Sequence, residues 1–150
     1  MTFLMNSPKR AWLVAFVLFL MALSACSPQS EVTEEDIVGV RKAMEDRAKA
    51  VAAKNITAYA AVFFDEYNER SVTKAQLVDD MAQKFEKHAT IKLTYQRSPV
   101  EVKFNTARVV SRISYEVAGF EKPIYDQETL TFRRINDRWV IAGGVNPNLF

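Results

Sequence analysis

One cysteine and one histidine are all that this 150-residue chain contains of the two residue types most used for metal binding and nucleophilic chemistry. A single cysteine, Cys26, excludes an internal disulfide and a zinc site built on thiolates. A single histidine, His88, does not anchor a metal unaided, and no His-Asp spacing or paired-acid signature accompanies it, so no metal and no cofactor are expected. Net charge is scarce as well. Twenty basic residues face eighteen acidic ones, and Lys9 and Arg10 are the only charged residues among the first 25. The remaining residues therefore balance at eighteen against eighteen, which leaves no counterion-release drive towards nucleic acid and no strong pull on anionic lipid headgroups. A long apolar run is missing too. Ala11–Ala25 carries no charge but is only fifteen residues long, short of the roughly 20 that span a bilayer.

What that run does have is the layout of a secretory signal: Lys9 and Arg10, then the apolar stretch, then small residues. Its ending, Leu23-Ser24-Ala25-Cys26, resembles the lipoprotein box of bacterial lipoproteins. The resemblance implies cleavage between Ala25 and Cys26, acyl chains on Cys26, and anchoring to a cell-envelope membrane through them. An ordinary cleaved signal with Cys26 merely following is the alternative. Acylation would take the only thiol out of nucleophilic chemistry, and an exported domain without disulfides must rely on its core alone. Ser27 rather than Asp follows the cysteine, which in Gram-negative lipoproteins resembles the pattern sent to the outer membrane, facing the periplasm. Residues 1–25 are thus read as the signal, 26–32 as a lipidated tether, 33–144 as one domain and 145–150 as a frayed tail. The polar stretch Ser27–Val32 reaches about 20 Å at most, so the domain is expected close to the bilayer.

Within the domain, Thr33 followed by Glu34, Glu35 and Asp36 reads as a capped helix start, with acids favoured by the helix dipole. Ile37, Val40, Met44, Ala48 and Val51 then recur at helical spacing to about Lys54. Asn55-Ile56-Thr57 matches a glycosylation acceptor but reads as a helix boundary beside a bacterial-type signal. Ile56–Phe64 reads as a short second helix and Asp65–Ser71 as a polar loop. Thr73-Lys74-Ala75-Gln76 is a capping box opening a third helix, with Leu77, Val78, Met81, Ala82 and Phe85 on one face. From Ile91 the apolar period becomes two. Ile91–Gln96, Val100–Phe104, Ala107–Val117, Tyr125–Ile135 and Arg138–Ala142 read as strands, with Asn105-Thr106 and Asn136-Asp137 as turns.

Segregated helices and strands predict an α+β fold: three helices packed on a curved, mostly antiparallel sheet of four to five strands. This arrangement resembles the nuclear transport factor 2-like (NTF2-like) superfamily over about Glu34–Gly143. The residues that carry the likeness are the long first helix, the short second helix ending Phe63-Phe64-Asp65, and the hairpin Glu128-x-Leu130-x-Phe132 with Asn136-Asp137-Arg138-Trp139-Val140-Ile141. Family members typically carry a glycine after the Asp, which is absent here. The resemblance implies a cone-shaped domain that hosts both enzymes and plain binding modules.

For chemistry, the enzymes of that superfamily imply a pocket Asp or His as acid or base. Here that role falls to His88 with Asp65, Asp126 or Glu128 as partner. The preferred reading of His88 is a helix-end cation beside Lys84 and Lys87, interacting with the helix dipole, with catalysis as the alternative. Glu128 reads as a strand-end charge meeting solvent or Arg134, with a carboxylate at the pocket mouth as the alternative, and Arg112 reads as solvated. Tyr59, Phe63, Tyr95, Tyr115 and Trp139 are the aromatic candidates for lining the cone, with core packing as the competing role. The resulting expectation is a non-catalytic, lipid-anchored envelope module that binds a small apolar ligand or a protein partner. A SnoaL-like isomerase or dehydratase, or a dimeric structural module, are the alternatives.

Overall fold

The computed structural model describes residues 32–150. Cys26, the Ala25–Cys26 junction and the rest of the expected signal and tether before Val32 lie outside the described residues. Thr33 caps helix α1 (Glu34–Ala52) through a reciprocal box in which the Asp36 amide donates to the Thr33 hydroxyl and the Asp36 carboxylate accepts from Thr33. The face α1 buries includes Val40, Ala43, Met44, Ala50 and Val51, and also one cation, Arg47. Asn55 is indeed a helix boundary. Its side chain accepts from the Ala58 amide at 2.9 Å, so it caps α2 (Ile56–Ala61).

The second helix is shorter than its apolar sequence predicts. After Ala61 the backbone turns into a bridge with the sheet, where Ile141 N–H donates to the Val62 carbonyl and Phe64 N–H to the Ile141 carbonyl, both at 2.9 Å. A six-residue helix gains little from propagation, and a sheet partner outcompetes the next turn. The expected loop 65–71 contains a minimal hairpin, β1 (Asn68–Glu69) and β2 (Val72–Thr73). Thr73 then caps α3 (Lys74–Lys87) with Gln76 closing the box, as the spacing predicts.

The main sheet holds five antiparallel strands: β3 (Ile91–Tyr95), β4 (Glu101–Lys103), β5 (Thr106–Val117), β6 (Ile124–Ile135) and β7 (Arg138–Gly143). The order is β3-β5-β6-β7, with β4 also pairing along β5. Both β3 and β4 therefore lie on the same edge of β5, separated by the Ser98-Pro99 interruption. Phe104 corrects the expected pattern. It sits at φ +54° in the β4–β5 turn and is exposed, rather than continuing the inward set of β4. Asn136 and Asp137 both take left-handed φ values, +47° and +59°, which these residue types tolerate without the family's glycine.

Inward residues on the two long strands alternate strictly. Ala107, Val109, Ser111, Ile113, Tyr115 and Val117 on β5 face the helices, as do Glu128, Leu130 and Phe132 on β6. α1 crosses this concave face between β3 and β7, and α3 packs on α2. The segment 145–150 is a further correction. Instead of fraying, Val145 is buried and Leu149 and Phe150 pack against the core.

Candidate functional site

The concave face carries a polar network whose members come from four different elements, three of them buried and Tyr95 half-buried. Arg47 comes from α1, Glu128 from β6, Tyr95 from β3 and Tyr115 from β5. Arg47 and Glu128 both have fully buried side chains, and they meet in a fork: Nη1 donates to Oε2 at 2.6 Å and Nη2 to Oε1 at 3.1 Å. Nη1 also donates to the Tyr95 hydroxyl at 2.7 Å and Nη2 to the Tyr115 hydroxyl at 3.1 Å. The Arg47 guanidinium stands 5.9 Å from the Tyr95 ring centre. Its Nε alone has no acceptor.

Burial by itself would ease the proton off Arg47. The Glu128 carboxylate together with Tyr115, Tyr95 and Tyr59 outweighs it and holds the guanidinium more firmly charged than usual. Burial raises the tyrosine phenols in turn. Tyr59, Tyr95 and Tyr115 shift upward, and Tyr67 is pushed up to about 12. The cone interior is thus a charge-neutral network of one cation, one anion and protonated phenols.

This network is the feature sequence reasoning missed. The apolar spacing alone does not single out Arg47, and the position of Glu128 predicts a strand-end charge. Glu128 is instead fully buried and paired with Arg47, 81 residues away in sequence, and Arg134 binds Asp36 instead. The signal was present: Arg47 lies three residues after Met44 and four before Val51, inside the apolar stripe. Glu128 lies two residues before Leu130 on the inward face.

The aromatic candidates divide. Tyr95 and Tyr115 belong to the Arg47 network, and Tyr59 lies beside it, fully buried. Phe63 is core, edge-on to Tyr59 and Tyr67 with centroids 5.0 Å and 5.7 Å away. Trp139 lies under α1, where a Cβ at Gly39 would stand 2.5 Å from its Cδ1. That position is also core. Arg112 is exposed.

The acid-base candidates do not meet, and Asp126 accepts from the Asn146 side chain. Asp65 is exposed and pairs with Lys74 at 2.7 Å, which holds its carboxyl below the usual range. Glu128 is taken by Arg47. His88 caps the end of α3, its amide donating to the Lys84 carbonyl at 3.0 Å. The His88 ring is buried, with Nδ1 3.2 Å from the Ala118 carbonyl and with the rings of Phe120 and Phe150 against it. Among the described residues, no three His, Cys, Asp or Glu side chains cluster as metal ligands do. No helix among them is long and apolar enough to cross a membrane.

Little free space remains inside the cone. A cavity of about 10 Å³, near the size of one water, is lined by Arg47, Tyr59, Tyr115, Lys84 and Phe150 among others. Roomier hollows open on the outside, among them one of about 480 Å³ between α1, α2 and the β6–β7 turn and one of about 380 Å³ between α1 and the β3–β4 edge.

A five-stranded curled sheet wrapped around a long capped helix, with polar groups converging inside, defines an NTF2-like fold, and this chain has it. No family model and no curated protein matches the sequence. Among solved structures, the chain is similar to a candidate aromatic ring hydroxylase from Novosphingobium aromaticivorans, with a TM-score of 0.66 and 17% identity over 75% of this chain and 87% of that one. An NTF2-like protein of unknown function from Pseudomonas putida superimposes with a TM-score of 0.58 and 13% identity, over 69% and 79% of the two chains. A candidate scytalone dehydratase from Novosphingobium aromaticivorans gives 0.59 and 13%, over 74% and 84%. At such identities the likeness is one of fold.

Proposed function

We propose that this protein is an envelope lipoprotein, anchored through acyl chains on Cys26, whose NTF2-like domain binds a small apolar ligand without catalysing its conversion. The observation that carries the non-catalytic reading is the burial of Glu128. Its carboxylate is fully buried and forked to Arg47, and the free space beside that arginine is only about 10 Å³. A general base must come within hydrogen-bond reach of the substrate proton, and here no substrate fits beside it. His88 supports the same reading, since its Nδ1 faces a backbone carbonyl and not a carboxylate. The anchoring rests on Leu23-Ser24-Ala25-Cys26 and the apolar run before it. One chain alone holds a protein only reversibly, whereas two or three on Cys26 make release negligible.

The test has two arms. Cells expressing the full chain are fed a labelled fatty acid, and the label is expected on the wild type and absent from Cys26→Ala. Label retained by the variant overturns the anchor. The purified protein is then screened against metabolite and lipid mixtures and against envelope extracts. Retention of an unchanged small molecule supports the reading. Its conversion to product overturns the non-catalytic assignment, and capture of an envelope protein with no small molecule bound replaces the ligand by a partner.

A further inference from the structure

The last six residues do something the ligand reading alone does not anticipate. The β-ladder ends at Gly143, and Gly144 turns the chain at φ +92°. A Cβ at that position would collide with the Thr129 carbonyl, so the turn requires glycine. From there the chain runs across the cone mouth. The Val145 amide donates to the Tyr67 hydroxyl at 3.3 Å, the Asn146 amide side chain donates to Asp126 at 3.1 Å, and the Lys84 ammonium donates to the Pro147 carbonyl. At the end of this strap the Phe150 ring is set into a box of three side chains. The Tyr115 ring lies 5.0 Å from it and the His88 ring 5.9 Å, centre to centre, and the Lys84 ammonium sits 4.7 Å from its centroid.

Each wall of that box has a hold that does not depend on the strap. The Tyr115 hydroxyl is bound by Arg47, the His88 ring meets the Ala118 carbonyl, and Lys84 pairs with Asp80 at 2.7 Å. The box is therefore a preformed ring site, and Phe150 is its present occupant. Behind Phe150 lies the small cavity lined by Arg47, whose Nε is buried without an acceptor. A cavity of about 150 Å³ is enough to hold a benzene ring. Lifting Leu149 and Phe150 away would free space of that order, with the Lys84 cation at the wall and Arg47 among the residues that line it.

Resting on the reading that the domain binds a small ligand, and replacing a wholly apolar ligand by one with a single charged group, we propose that its site is the Tyr115–His88–Lys84 box, that the ligand is a flat aromatic ring bearing an anionic oxygen group, and that Val145–Phe150 is a competing strap hinged at Gly144. The ring takes the place of Phe150, the Lys84 ammonium serves both its face and its charge, and ligand binding requires the strap to lift. Because the strap-closed state cannot bind, the apparent dissociation constant is the intrinsic one divided by the strap-open fraction.

The probe is naphthalene-2-carboxylate, titrated calorimetrically into the full chain, with naphthalene as its uncharged counterpart. Phe150→Ala is expected to bind the carboxylate at least tenfold more tightly than the wild type. Adding Lys84→Met in that background should then weaken the carboxylate severalfold more than naphthalene. Phe150→Leu, which keeps an apolar side chain but no ring, is expected to fall between, and it serves if the alanine variant does not fold. Equal affinity of wild type and Phe150 variants, or no loss on Lys84→Met, overturns the ring site. If the wild type retains an unchanged small molecule in the metabolite screen while Phe150 and Lys84 have no influence on its affinity, ligand binding stands and only its location here falls. Absence of binding by every variant overturns this site, and the screen then decides the broader reading separately.

Discussion

Removing one partner of the Arg47–Glu128 pair should be far more damaging than removing both. Glu128→Gln leaves a guanidinium in a fully buried position with only neutral groups around it, the amide and the phenol hydroxyls. Loss of one member of such a pair costs about 3–5 kcal/mol, because the surviving charge has been taken out of water without compensation. Arg47→Met has a similar cost from the opposite sign, and it also removes the donors to Tyr95 and Tyr115. The double variant Arg47→Met/Glu128→Leu eliminates both charges. Replacing a buried pair by apolar residues is neutral or stabilising by about 1–4 kcal/mol. Against that stand two phenol hydroxyls without partners, at about 1–3 kcal/mol each, so the double variant is expected within a few kcal/mol of the wild type. The coupling in a double-mutant cycle then reaches several kcal/mol, beyond the roughly 0.5–3 kcal/mol usual for touching residues. Urea unfolding followed by tryptophan fluorescence measures it. With a slope of about 1.5 kcal/mol/M, each single change moves the midpoint down by ~2–3 M, a large part of the roughly 5–15 kcal/mol that a domain has. Single changes costing under ~1 kcal/mol, or a double variant whose loss equals the sum of the singles, refute the reasoning.

Burial raises the phenols of Tyr59, Tyr67, Tyr95 and Tyr115, with Tyr67 at about 12. Raised folded-state values mean that stability is complete below the unfolded value near 10 and is lost as pH climbs towards the folded value, by about 1.4 kcal/mol per unit and group. Phenolate absorbance from these four should therefore appear together with unfolding; smooth ionisation in a folded domain would contradict the burial. Asp36 has the opposite sign. The Thr33 hydroxyl, and beyond it the Arg134 guanidinium, hold its carboxyl below the ordinary range, so its contribution is present above about pH 4 and disappears as pH falls through the lowered value. Between pH 7 and pH 3 the wild type should lose more stability than Asp36→Asn in urea titrations, and equal losses would count against the cap. Gly39→Ala gains up to about 1 kcal/mol in helix propensity but places its Cβ 2.5 Å from Cδ1 of buried Trp139. The overpacking term of about 1–3 kcal/mol wins, so the thermal midpoint should fall, and a rise would show that the indole yields freely.

Much of the fold was legible because its signals are local. Thr33 with Asp36 and Thr73 with Gln76 mark helix starts through bonds spanning three residues, and both boxes form. The change of apolar period at Ile91 announces the sheet, since a strand shows its covered face at every second residue. Where local signals compete with a distant partner they fail. Val62–Phe64 has a helical, apolar sequence, but its amides and carbonyls find Ile141. Leu149 and Phe150 carry no periodic pattern at all, yet the open cone mouth gives them somewhere to pack.

The candidate site was legible only in fragments. Tyr95 and Tyr115 were recognisable as inward aromatics from alternation along their strands. Their roles were not, because a phenol that packs and a phenol that binds a guanidinium look alike in sequence. Arg47 shows why: the helical stripe counts apolar residues, and a cation at a stripe position registers as an interruption. Only a matching anion on the facing strand reveals it as one half of a pair.

By itself the sequence determines the long helices and the strands of the main sheet, their caps and inward faces, and it carries a Leu-Ser-Ala-Cys motif that resembles a lipidation signal. These depend on spacings of two to four residues or on a contiguous motif. The tertiary structure alone decides what fills the cone. Curling the sheet around α1 brings Arg47 within 2.6 Å of Glu128, and the turn at Gly144 carries Phe150 back to Tyr115, His88 and Lys84. Burying a charge is tolerable only beside its opposite, and an apolar ring stays out of water only where walls already stand. Both conditions are met by residues far apart in the chain, and no local pattern records them.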